Sequence, residues 1–139
     1  MAKGLGHELE ARTLDGLQVD LVHKGLIRCR FLIPKHLSDG DGNWHVGAMA
    51  TLIDVVGAAA VSSFAGHIKA SVDFNLSYFS TAKIHEEVEV EAKVVGQSGR
   101  LVSVTVEVKK KENGKMIALG RQWITTIDTT QPSSSSSKL

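Results

Sequence analysis

Apolar and polar positions change period along this chain, and the changes mark out its elements. Leu17 to His23 and Leu26 to Ile33 read as two strands joined by a tight turn at Lys24-Gly25, with Pro34 ending the second. Within the second strand Ile27, Cys29, Phe31 and Ile33 share one face, and Arg28 and Arg30 take the other. The polar stretch Ser38-Asp39-Gly40-Asp41-Gly42-Asn43 is a loop, with Asn43 the expected cap of the helix that follows. From His45 to Phe64 the chain is apolar nearly all round a helix and carries one ionised side chain, Asp54. Past Gly66 the pattern alternates. Ser71 to Phe79 is one strand; Glu87 to Val95 is another, with Val88, Val90, Ala92 and Val94 inward and Glu87, Glu89, Glu91 and Lys93 outward. Gly96-Gln97-Ser98-Gly99 predicts a turn, after which Val102, Val104, Val106 and Val108 repeat the alternation. Asn113-Gly114 is a strong hairpin signal leading to a last strand from about Met116 to Thr126.

Strands joined mostly by short turns favour an antiparallel sheet, because parallel strands need longer crossovers, so the fold class is α+β with one long helix on a sheet face. One sheet covers one side of a helix. The other apolar side is then expected to meet another subunit.

Composition adds bounds. A chain of 139 residues, 42% hydrophobic, suits one domain. We divide it into an N-terminal segment (1–14), whose first dozen or so residues are a helix candidate, a domain (15–127) and a Ser-rich tail (128–139). With 16 Lys+Arg against 15 Asp+Glu, overall charge indicates neither a nucleic-acid surface nor a polybasic membrane face. The cluster Lys109-Lys110-Lys111 reads as a solvated strand end or as an anion site. Cys29 is the only cysteine, which fits a disulfide-independent compartment, and its place in a strand makes it a small core hydrophobe. The N-terminus lacks the apolar core of a secretory signal, and Asp54, Thr51 and the small residues of the long helix suit a protein core better than a bilayer. The last residues, Ser137-Lys138-Leu139, match the peroxisomal import address when they stand at a free C-terminus, and Ser133 to Ser137 are expected to leave it accessible to an import receptor. The six histidines show no close metal-ligand spacing, and no cofactor is expected.

Asp54 is the best candidate for chemistry. An ionised carboxylate in a buried helix costs several kcal/mol unless something compensates it; it is either a structural carboxylate or a general base or nucleophile in a dry pocket. Upstream, His45-Val46-Gly47 lies where the helix begins, and backbone N–H groups there favour a developing negative oxygen. Val46 and Gly47 supply such donors whatever their side chains, while His45 orients the loop, contacts substrate or simply satisfies the helix start. Val46 and Asp54 are eight residues apart, or about 12 Å along one helix. Both can serve one small reacting centre only if Asp54 acts on a group held by the Val46 end of a second copy, the two helices running antiparallel about a two-fold axis.

His45-Val46-Gly47 followed by Asp54, then Ser71-Val72-Asp73-Phe74-Asn75-Leu76-Ser77-Tyr78, Ala82-Lys83 and Gly120-Arg121, resembles the hotdog-fold acyl-CoA thioesterases of the phenylacetic-acid-degradation (PaaI-like) type. The ordered spacing over roughly residues 15 to 127 carries the resemblance. It implies a long central helix wrapped by an antiparallel β-sheet, dimers pairing into a homotetramer, and hydrolysis of an acyl-CoA at the subunit interface. By position Asp54 matches the family's catalytic carboxylate, and Ser71 a polar position that in some members helps hold the water or the carboxylate. Val46 falls where the family commonly has the first glycine of a His-Gly-Gly motif, so the N–H is kept and a branched side chain is added. Ser80-Thr81-Ala82-Lys83 replaces a commoner Ser-Pro-Ala-Lys; Lys83 and Arg121 are candidates for contacts with the CoA phosphates by charge. The leading expectation is a peroxisomal acyl-CoA thioesterase. The alternatives are a hotdog enoyl-CoA hydratase or dehydratase using His45 and Asp54, and a non-catalytic acyl-CoA-binding protein in which Val46 has closed the site.

Overall fold

A computed structural model describes residues 16–127 of the chain. The N-terminal helix candidate and the tail with its Ser137-Lys138-Leu139 address lie outside the described residues. Six strands form one antiparallel sheet: β1 (Gln18–His23), β2 (Leu26–Leu32), β3 (Ile68–Tyr78), β4 (Glu87–Ser98), β5 (Leu101–Lys110) and β6 (Met116–Thr126). Their spatial order is β1-β2-β4-β5-β6-β3. One helix, α1 (Val46–Ala65), packs against β2, β3, β4, β5 and β6, so the sheet wraps it as an α+β hotdog architecture.

The alternation seen in sequence is the physical cause of this layer. Val88, Val90 and Ala92 of β4, with Val102, Val104, Val106 and Val108 of β5, are fully buried beneath the helix, as are Leu52, Ile53, Ala60 and Val61 of α1. On the outer face the charged residues pair across strands: Arg28 with Glu91 at 2.9 Å, Arg30 with Asp20 at 2.9 Å. These pairs are about one-third exposed and set strand register more than stability. Lys109 and Lys110 lie 3.5 Å from Glu107 and Glu86 respectively, so two of the three clustered lysines are paired at the strand end.

Three expectations change in detail. The helix is capped by His45, because Asn43 is drawn into an antiparallel bridge with Lys83. β4 runs through Gly96 to Ser98 with a bulge after Val94, which leaves only Gly99 and Arg100 to turn the chain. Asn113-Gly114 closes a longer loop rather than a two-residue hairpin: Lys110 donates its N–H to the Lys115 carbonyl at 2.9 Å, with Gly114 at φ 73°.

Gly120 sets how deeply the helix sits. A Cβ there would lie 2.5 Å from Ile53 Cγ2 and 3.1 Å from Leu76 Cδ2, so only glycine lets α1 approach β6 this closely. At the far edge, β3 pairs with β6 on one side and carries no partner on the other among the described residues. Val72, Phe74 and Tyr78 are exposed along that edge, and Phe79 just beyond it.

Candidate active site

The loop before α1 is pinned at several points. Asp39 Oδ1 accepts the N–H groups of Asp41 (2.8 Å) and Asn43 (3.0 Å), and these bonds hold its carboxyl below the ordinary value. The Trp44 ring is buried against Phe31, and its backbone N–H donates to the Ala82 carbonyl at 2.8 Å; the His45 backbone N–H donates to the Leu37 carbonyl at 2.7 Å. The chain is thereby delivered to the helix with His45 extended, at φ −64° and ψ 132°.

His45 then caps with its own ring, Nδ1 accepting the Gly47 N–H at 2.9 Å. This bond places the proton of the neutral ring on Nε2. It also explains the glycine, since a Cβ on residue 47 would lie 3.1 Å from His45 Cε1 and press against the ring. Of the two N–H groups expected to polarise a carbonyl, that of Gly47 is thus engaged by His45. The Val46 N–H has no acceptor among the described residues. The Val46 side chain is 52% exposed, and beside it a cleft of about 370 Å³ is lined by His36, Leu37, His45, Gly47, Ala48 and Thr51.

Asp54 stands two turns further along the same unbroken helix, which upholds the separation of about 12 Å from Val46. It is half-buried rather than enclosed, so the desolvation cost expected for a fully buried charge does not arise within one chain. Its partner is Gln122, a residue that the sequence reading did not single out: Gln122 Nε2 donates to Asp54 Oδ1 at 2.6 Å and, at a longer 3.4 Å, to Ser71 Oγ. The inward series on β6 runs Ala118, Gly120, Gln122, Ile124, Thr126, and a long amide among apolar or small residues was the available signal.

Ser71 and Asp54 are therefore brought together through Gln122, while His45 and Val46 occupy the helix start. Lys83 bridges to Asn43 beside that start, with Nζ 3.4 Å from the Asn43 side-chain oxygen. Arg121 lies elsewhere. It alternates with Gly120 and Gln122, pairs in register with Asn75 and Thr105, and so takes the outer face of the sheet.

A six-stranded antiparallel sheet wrapped about one long helix defines the hotdog fold. The thioesterase superfamily profile matches residues 41–117. Human acyl-coenzyme A thioesterase 13 is 33% identical over 111 residues, 79% of each chain. Among solved structures, zebra fish thioesterase superfamily member 2 superposes with a TM-score of 0.81 at 30% identity, covering 86% of this chain and 92% of that one. The PaaI protein of Escherichia coli shares the fold with a TM-score of 0.74, covering 86% and 89%. The chain belongs to the thioesterase superfamily and has the hotdog fold.

Proposed function

We propose that this thioester hydrolase acts on acyl-CoA at a site shared between two copies of the chain, with Asp54 as general base or nucleophile. The observation that carries this reading is the placement of the free Val46 N–H and the Asp54 carboxylate about 12 Å apart on one continuous helix. Neither can reach the other's reacting centre within its own chain. The unpaired edge of β3, with Val72, Phe74 and Tyr78 exposed along it, supports pairing with a second copy that would bring an antiparallel α1 alongside. The Val46 N–H of one protomer then polarises the thioester carbonyl held there. Asp54 of the other either takes a proton from the attacking water or attacks the carbonyl carbon itself, giving a mixed anhydride that water hydrolyses. Both routes release the free acid and CoA. Relatives named for acyl-CoA hydrolysis support the substrate class, and no metal or redox group is needed for either route.

Two variants test it. Asp54→Asn keeps the shape and removes the base. Val46→Pro deletes the N–H at the first helical position, where proline is tolerated and where the extended His45 already suits it. Each homogeneous variant is expected to lose about 10²-fold or more in kcat against acetyl-, palmitoyl- and benzoyl-CoA, read as released thiol. Mixed and reassembled, the two inactive proteins regain about a quarter of wild-type activity, because half of the random dimers carry one intact site of two. Full turnover by Asp54→Asn would remove Asp54 from the chemistry, and no recovery on mixing would place the two groups in a single chain. In cells we further propose peroxisomal import through Ser137-Lys138-Leu139; truncation of these three residues is expected to leave the protein outside the organelle.

A further inference from the structure

Gln122 is 1% exposed, and its two amide ends have unequal surroundings. Nε2 faces Asp54 Oδ1 at 2.6 Å and Ser71 Oγ at 3.4 Å. Oε1 is buried with no donor among the described residues and lies where a Cβ of Gly57 would stand, against the helix backbone. Exchanging the two ends would set an amide oxygen against a carboxylate oxygen, acceptor against acceptor, so the orientation is determined by Asp54. A buried acceptor with no donor is destabilising, and an aliphatic side chain such as the neighbouring Ile124 would avoid that cost. Stability therefore does not account for a glutamine here.

The neighbouring residues are arranged around it. Gly57, one turn beyond Asp54 on α1, leaves the space that Oε1 occupies against the helix; a Cβ there would also come 3.2 Å from Val106 Cγ2. An amide neither gives up nor takes a proton in the working pH range, so Gln122 cannot share the acid–base step. What it supplies is direction. Tying down one oxygen of a half-exposed carboxylate on a rotatable side chain selects the plane of the group and leaves the other oxygen to act.

We infer that Gln122 is a positioning residue: it anchors Asp54 through Oδ1 so that Oδ2 alone meets the attacking water or the thioester carbon, and it holds Ser71 in line through its second N–H. This rests on the proposed role of Asp54. It assigns Ser71 a defined part, since an Oγ that accepts from Gln122 keeps its own O–H free to donate to the water or the substrate.

The test uses the full chain and the acyl-CoA turned over fastest among acetyl-, palmitoyl- and benzoyl-CoA. Gln122→Met preserves length and removes the donor; kcat is expected to fall about 10- to 100-fold with KM within about twofold. Gln122→Glu preserves shape but donates to Asp54 only when protonated, so its kcat relative to wild type is expected to rise as pH falls from about 8 to about 5.5, whereas a side chain that merely fills space gives a flat ratio. If the Met variant does not fold, the Glu ratio decides. A flat ratio, or a Met variant with wild-type kcat, overturns the inference. Asp54→Asn in the same assay separates the two levels: if it is inactive while the Gln122 variants behave as wild type, only the positioning role fails, and if it is active the reading beneath it fails.

Discussion

Gly57→Ala sets helix propensity against the packing of Gln122, and the structure says which wins. Alanine in a helix interior is favoured over glycine by about 1 kcal/mol, so an unpacked site would be stabilised. Here the new Cβ falls on Gln122 Oε1 and 3.2 Å from Val106 Cγ2. The glutamine end is flexible and can swing away, but in doing so it gives up the 2.6 Å bond to Asp54. A hydrogen bond to a charged group is worth about 1.5–3 kcal/mol, and water at half-exposed Asp54 brings the loss to the lower end, about 1.5 kcal/mol. Tightening against buried Val106 adds about 1 kcal/mol. The net expectation is a loss of about 1.5 kcal/mol, opposite in sign to propensity. Urea denaturation reads it as a lower midpoint with unchanged slope, at a protein concentration held equal for both chains because assembly contributes to the midpoint. Under the positioning role of Gln122 the same variant also loses kcat by about tenfold or more. A variant more stable than wild type with normal turnover would refute the reasoning, since Gln122 could not then be lodged between α1 and β6.

Two further outcomes follow from the site and the core. His45→Ala removes the ring that accepts the Gly47 N–H and is expected to cost about 1 kcal/mol in denaturation midpoint, while His45→Asn, a good cap, recovers most of it; equal losses for both would show that the ring is not acting as the cap. Burial, with a smaller contribution from the Asp20 charge, pushes the Cys29 thiol up to about 11 from an ordinary 9.0, so the unfolded chain ionises first as pH rises. Stability should therefore fall above about pH 9, by up to about 1.4 kcal/mol per unit until about 11, and Cys29→Ala should flatten that part of the curve; parallel curves would contradict it.

The period of the side chains was enough to expose most of the fold. Val88 to Val94 and Val102 to Val108 alternate because a half-covered strand has two unlike sides, and one apolar helix among such strands needs a sheet to wrap it. The same one-dimensional pattern made Asp54 conspicuous, and helix rise alone separated it from Val46. Other features depended on residues meeting across long stretches of chain. Asn43 was a reasonable cap by composition, but Lys83, 40 positions later, claims it, and His45 takes the helix start. Gln122 lies 68 positions from Asp54, and nothing local in Gly-Arg-Gln-Trp marks it as a partner for a carboxylate.

The sequence by itself determined the strand and helix periods, the class of fold and the acidic residue at its centre. Those are local properties, carried by side-chain alternation and by spacing along one helix. Only the tertiary structure decided what Asp54 touches, because that depends on β6 passing under α1 at a distance set by the missing side chains of Gly57 and Gly120. A glycine in a sequence is an absence, and which neighbour fills the space it leaves is known only when the chain is packed.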